Sequence, residues 1–104
     1  MIKIILADDD AIIREGLKMI IESQPDLELL GSAKNGQEAV ELCREFKPDV
    51  AMLDIRMPFL DGIEAAKKIL EENLSSPLLL TTFDESDLIM RALKAGVNGY
   101  ILKN

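Results

Sequence analysis

The 104-residue chain has no histidine and no tryptophan, one cysteine, one tyrosine and three phenylalanines. Without imidazole, and with a single thiol, a zinc centre is disfavoured, because such centres draw on several His or Cys ligands. The lone Cys43 cannot form an internal disulfide. Its place on the apolar face of a predicted helix marks it as an unreactive core thiol, which suits a reducing cytoplasm. Long apolar runs are also missing. The longest, such as IIL at 4–6 and PLLL at 77–80, fall far short of the roughly 20 residues that span a bilayer, so no membrane span is expected. The N-terminus, MIKIILADDD, lacks the longer apolar stretch and small-residue cleavage site of a secretory signal, and export is not expected. No Lys/Arg cluster interrupts the acidic balance of 12 basic against 19 acidic residues, a formal charge of -7. The domain therefore lacks the electrostatic term that supplies most non-specific nucleic-acid affinity, and any DNA contact must come from elsewhere.

What is present is the balance of a globular protein, 48% hydrophobic and 30% charged, in a length that fits one domain over 1–104. Short apolar runs alternate with segments of helical spacing four times before a final strand, which reads as β-α-β-α-β-α-β-α-β. The first strand is Ile2 to Ala7, continuous and β-branched as expected of a strand covered on both faces. A helix from about Ala11 to Ser23 places Ile13, Leu17, Ile20 and Ile21 on one stripe, and Gln24-Pro25 ends it. Leu27 and Leu29 alternate with polar neighbours in a less buried second strand. After an Asn35-Gly36 turn, Ala39, Val40, Leu42, Cys43 and Phe46 form the stripe of a second helix that Lys47-Pro48 stops. The third strand, Val50 to Leu53, runs into Asp54. The irregular stretch IRMPFLDG follows, with a helix beginning near Ile63. Pro77 opens a fourth strand ending at Thr81 and Thr82. Asp84 is placed to cap a fourth helix with Leu88, Ile89, Ala92 and Leu93 inward and Gly96 as its stop. The fifth strand is Gly99 to Leu102.

This alternation implies a parallel sheet with all strand C-termini at one edge, where ligands of such folds bind. The residues at that edge are Asp8, Asp9 and Asp10, Asp54, Thr81 and Thr82, and Lys103. Several carboxylates in one partly desolvated pocket must be protonated, paired or metal-bound. With oxygen ligands only, Mg²⁺ retaining several waters is the natural occupant. A carboxylate can attack phosphorus to give an acyl phosphate, with the charge on the transferring group neutralised by Mg²⁺ and an ammonium such as Lys103, and a hydroxyl such as Thr81 bonding a third oxygen. Each residue also has a plain structural reading: the acidic run as loop and helix cap, Asp54 as a loop cap, Thr81 as a strand end, Lys103 as a surface charge. Their joint occurrence at one edge favours phosphoryl acceptance.

The segments ILADDD, PDVAMLDIRMPFLDGIEA, LLLTTFDE and ALKAGVNGYILKN span nearly the whole chain in order and resemble the receiver domains of bacterial two-component response regulators. The resemblance implies a flavodoxin-like (CheY-like) open α/β fold with five parallel strands in the order 2-1-3-4-5 and helices on both faces. It also implies that Asp54 is the phosphoacceptor, charged by a sensor histidine kinase, that Asp8 and Asp9 hold Mg²⁺ with Asp54 and the backbone carbonyl of Arg56, and that Thr81 and Tyr100 are switch residues with Lys103 as the salt-bridge partner. By the same resemblance the chain is a phosphoacceptor with at most slow autodephosphorylation, not a turnover enzyme. Asn104 stands after Lys103 where many receivers have proline. LTTFDE, GYILKN and NGQEAVEL are similar to the NarL/FixJ (LuxR-like) subclass, whose full-length members act on transcription through a C-terminal helix-turn-helix. The chain stops before the family's usual fifth helix, so a piece of a longer protein is expected. Apolar sheet surface should then be uncovered, on strands one and five above all, inviting a homodimer or domain-swapped association.

Three other readings remain at this point. A haloacid-dehalogenase-like phosphatase would use the D-x-D of Asp8 and Asp10 but leaves DIRMP unexplained. A flavodoxin-like cofactor binder would not meet a phosphate with three aspartates. An adaptor receiver acting only through protein contacts would share all the chemistry of Asp54.

Overall fold

A computed structural model describes residues 1–81, 86–97 and 99–102. Its strands are β1 (Ile2–Ala7), β2 (Leu27–Ala33), β3 (Val50–Asp54), β4 (Ser76–Thr81) and β5 (Gly99–Leu102). Between them lie α1 (Ala11–Glu22), α2 (Gly36–Phe46), α3 (Gly62–Glu71) and α4 (Ser86–Lys94). The strands form one sheet in the order β2-β1-β3-β4-β5, every pairing parallel. The α/β fold and strand order are those expected. Thr82, Asp84 with its expected capping role, Lys103 and Asn104 lie outside the described residues, as do the side chains of Leu88 and Ile89 that were expected to face inward.

Strand alternation divides the core. Ile5, Ala7, Ala51, Leu53 and Leu79 are buried in one cluster with Ala39, Val40 and Cys43 of α2, with Ile63, Ala66 and Ile69 of α3, and with Ala92 of α4. Ile4, Leu6 and Leu80 are buried outside that cluster, as neighbours in a strand must be when they point to opposite faces. Against the second face lies α1, which contacts β1 and β2 and buries Ile21. Helices therefore cover both faces.

The helix ends follow local chemistry. The Asp10 carboxylate accepts from the N–H groups of Ile12 and Ile13 at the start of α1. Asn35 Oδ1 accepts from Glu38 N–H, and Asp61 Oδ1 from Glu64 N–H, each at 2.8 Å. These bonds satisfy amides that the first helical turn leaves without partners. Lys47, in the left-handed region at φ 46°, closes α2 before Pro48. Gly96 at φ 99° turns the chain after α4, as expected of the glycine there.

Three inward assignments need correction. Ile20 is 62% exposed and Phe46 43%, while Leu93 is also exposed. On α1 the apolar arc is wider than the sheet covers: Ile21 is buried, Ile13 and Leu17 are half-buried, and Ile12, Met19 and Ile20 face solvent. Phe46 and Leu93 stand in the last turns of short helices, where the stripe has run past the sheet. The uncovered sheet surface is smaller than expected on β1, where only Ile2, at the start, is an exposed apolar residue, because α1 on one face and α2 on the other cover the rest; on β5, Tyr100 and Ile101 are about half exposed, as expected of that strand.

Candidate functional site

β1 and β3 are neighbours in register, Ala7 opposite Leu53, so the residues that follow at their C-terminal ends, Asp8 and Asp54, are brought side by side. Asp8 is fully buried and Asp54 only 5% exposed, whereas Asp9 is exposed. One carboxylate oxygen from each of these three residues can be chosen so that all lie within 4.8 Å of one another. The backbone around Asp8 is tightly held. Its N–H donates to Ala33 O at 3.1 Å and its carbonyl accepts from Arg14 Nη1 at 2.7 Å. Its Oδ1 accepts from the Asp10 N–H at 2.9 Å. Two buried carboxylates and a third at the rim repel one another unless a cation joins them. An all-oxygen donor set at this spacing fits a hard divalent cation.

The other acidic candidates are engaged elsewhere. The Asp10 side chain caps α1. Asp49, at the opposite end of β3, accepts from Lys3 N–H at 2.8 Å. Asp61 caps α3, and its Oδ2 accepts from Arg91 Nη2 of α4 at 3.3 Å. Thr81 is fully buried at the C-terminal end of β4. Tyr100 stands on β5 opposite Leu79 with its side chain about half exposed. The Arg56 side chain is exposed. Lys103 lies outside the described residues, so the structure brings together Asp8, Asp9 and Asp54 and places Thr81 at the same sheet edge.

Two glycines that sequence reading treated only as signals of a turn (Gly36) and of irregular structure (Gly62) prove to hold the loop that follows Asp54. A Cβ on Gly62 would overlap the carbonyl oxygen of Asp54, with the Asp54 carbonyl carbon and Ile55 Cα also at or within 3.0 Å. The Gly62 N–H donates to Ile55 O at 2.8 Å. A Cβ on Gly36 would overlap Leu60 O, which accepts from the Gly36 N–H at 2.9 Å. The segment after the phosphoacceptor candidate is thus pinned by backbone against backbone at both ends. Between the pins, the Leu60 N–H donates to Pro58 O at 2.7 Å around Phe59 at φ 67°. This is a three-residue γ-turn of the rare positive-φ form. A side chain held at positive φ costs roughly 1–2 kcal/mol, yet Phe59 is 91% exposed and gains almost no burial in return. The sequence signal was available in Pro58-Phe59 before Asp61-Gly62, but nothing in it demanded a positive φ at phenylalanine.

Away from the site, Cys43 is buried in the α2 interface, and desolvation pushes its thiol up to about 11. On the surface, Arg44 donates two hydrogen bonds to Glu72 at 2.9 and 2.7 Å. The guanidinium holds the Glu72 carboxyl below its ordinary range, and the carboxylate raises Arg44.

The sequence profile described as "Response regulator receiver domain" matches residues 4–104. The chain belongs to that family. This receiver domain is 46% identical over 105 residues to the transcriptional regulatory protein LnrK of Bacillus subtilis, covering 100% of this chain and 48% of the relative. It is 43% identical over 105 residues to LiaR of the same organism, covering 99% of this chain and 49% of the relative. The chain thus spans about half the length of the curated relatives it matches. Among solved structures, the receiver domain of a putative response regulator NarL from Mycobacterium tuberculosis superposes with a TM-score of 0.94 at 33% identity, over 99% of this chain and 84% of that one. A LuxR-family DNA-binding response regulator from Staphylococcus aureus superposes at 0.92 with 31% identity, over 99% and 87% of the two chains. The subclass suggested by LTTFDE and GYILKN is the one these relatives represent.

Proposed function

We propose that this receiver domain accepts a phosphoryl group from the phosphohistidine of a sensor kinase onto Asp54. The observation that carries the reading is the triad Asp8, Asp9 and Asp54, with Asp54 at the end of a central strand and nearly buried. An Asp54 carboxylate oxygen attacks phosphorus, the P–N bond to the donor imidazole breaks, and the nitrogen leaves with a proton, so that an acyl phosphate replaces a phosphoramidate. Asp8, Asp9, Asp54 and the Arg56 backbone carbonyl would hold Mg²⁺, which supplies charge neutralisation for the transferring group. Asp8 is suited to this by the bonds that fix its backbone and Oδ1. Thr81 offers a hydroxyl at the same edge and Lys103 an ammonium toward the phosphoryl oxygens.

Phosphorylation adds charge that one of two conformations pairs better, and so shifts their populations. Thr81 and Tyr100 report the change, Tyr100 being half exposed and able to turn inward. The output is transcriptional, through a C-terminal helix-turn-helix of the parent protein acting on DNA in the cytoplasm. The names of the relatives and the half-length match support this over an adaptor role. The Asp8/Asp10 phosphatase reading is disfavoured because Asp10 is committed to capping α1.

The test is phosphorylation with phosphoramidate and Mg²⁺, followed by mapping of the acyl phosphate. Label on Asp54, lost in Asp54→Asn and in the presence of a chelator, is expected. Label on Asp8, or an Asp54→Asn protein that still takes phosphate, overturns the assignment.

A further inference from the structure

We infer that Phe59 is an anchor on which the phosphodonor protein seats when it reaches Asp54. This rests on the function proposed above and extends it to how the donor is recognised. Asp54 is almost closed to solvent, so a protein donor must lie against the rim of the pocket. The rim includes the loop that leaves Asp54, and among the described residues the most exposed large apolar side chain of that loop is Phe59, five residues on.

Single exposed hydrophobic residues are ordinary on protein surfaces, and exposure alone would carry nothing. Two further observations set Phe59 apart. Its backbone occupies the positive-φ γ-turn closed by Leu60 N–H on Pro58 O, a conformation that glycine or asparagine would adopt with less strain. Strain of this kind persists where the surroundings over-determine it, and concentrates at functional sites. The surroundings here are the two backbone pins, Gly36 on Leu60 and Gly62 on Ile55. They hold the turn as a fixed pedestal, so the ring is presented without the ordering cost that a loose loop would incur on binding. Aromatic side chains, phenylalanine among them, are enriched at protein interfaces, and a pre-ordered one binds without the cost of being ordered. The matching partner surface is an apolar recess beside the donor histidine.

Phe59→Gly and Phe59→Asn remove the ring while suiting the turn, and both should be at least as stable to urea as the parent. Each variant is phosphorylated first by phosphoramidate and then by the phosphorylated sensor kinases of the source organism, screened as a set to find the donor. The rate from the best kinase relative to that from phosphoramidate should fall about tenfold or more in both variants, and Phe59→Leu should restore most of it. An unchanged ratio overturns the anchor while leaving Asp54 as acceptor intact. A parent chain that takes phosphate from phosphoramidate but from none of the kinases overturns the anchor and the kinase half of the proposed function together. A parent chain that phosphoramidate does not label refutes the acceptor reading itself.

Discussion

Substituting alanine for glycine at two places in this domain should have opposite effects. Gly62 is the first residue of α3, and an added Cβ there meets the Asp54 carbonyl group and Ile55 Cα at or within 3.0 Å, against roughly 3.5–4 Å for a comfortable contact between carbon atoms. The obstacle is sheet backbone, not the end of a flexible side chain, so it cannot be relieved by a rotamer change. Overpacking of a well-packed site costs typically about 1–3 kcal/mol, more than the gain of at most about 1 kcal/mol that alanine brings to a helix. Gly16, in contrast, sits inside α1 with nothing within 4 Å of a Cβ, and alanine there should stabilise by roughly 0.5–1 kcal/mol. Urea denaturation should therefore show Gly62→Ala losing and Gly16→Ala gaining. A loss of 2 kcal/mol would lower the melting temperature by roughly 10 °C in a domain of this size. Because the clash falls on Asp54 itself, Gly62→Ala should also slow phosphoramidate labelling, which Gly16→Ala should not. A Gly62→Ala protein that matched the parent in both stability and labelling would refute the close approach and with it the pinned loop.

Further expectations concern the caps, the thiol and the metal. Asn35→Ala and Asp10→Ala each remove a helix cap and should cost about 1 kcal/mol in denaturant titrations. The Asp10 variant should still accept phosphate, whereas an Asp10 essential to labelling would favour the D-x-D chemistry. The Cys43 thiol, pushed up from 9.0 to about 11 in the fold, stabilises fully below the thiol's ordinary range. That contribution declines as pH rises from about 9 to about 11, because the unfolded chain ionises first; a Cys43→Ala variant should show a flatter alkaline limb, and alkylation of the native thiol should be slow at neutral pH. For Glu72, held low by Arg44, the sign is reversed: its contribution is present above the ordinary carboxylate range and lost as pH falls through the lowered value, so Arg44→Ala should flatten the acid limb slightly. Asp9→Ala should raise the Mg²⁺ concentration needed for half-maximal labelling, read by titration with phosphoramidate held constant.

Legibility from sequence varied with how far the tertiary structure reinforced local pattern. β1 and β5 were predicted to the residue, because each is a short apolar run between polar or glycine boundaries. β2 extends to Ala33, beyond the Leu27 and Leu29 that signalled it, because an edge strand with one paired neighbour shows weaker alternation. The inward stripes were overdrawn at Ile20, Phe46 and Leu93, since periodicity says which residues share a helix face but not how much of that face the sheet reaches. Asp8, Asp9 and Asp54 were legible because strand order alone carries them to one edge. Gly36 and Gly62 were not recognised as pins, because the contact that requires them is with backbone of a segment distant in sequence for Gly36, and with a carbonyl whose direction only the fold determines for Gly62.

Those two pins have a consequence for how such a domain can diversify. A loop held by side-chain packing drifts whenever its residues change, and would carry Asp54 with it. Here the holding atoms are main-chain N–H and carbonyl groups, which substitutions leave in place, provided that the two glycines remain. The exposed side chains of Arg56, Pro58 and Phe59 are thereby uncoupled from the position of Asp54, while Met57 stays tied to the core, and a duplicated copy of the gene could rewrite the exposed three without rebuilding the site.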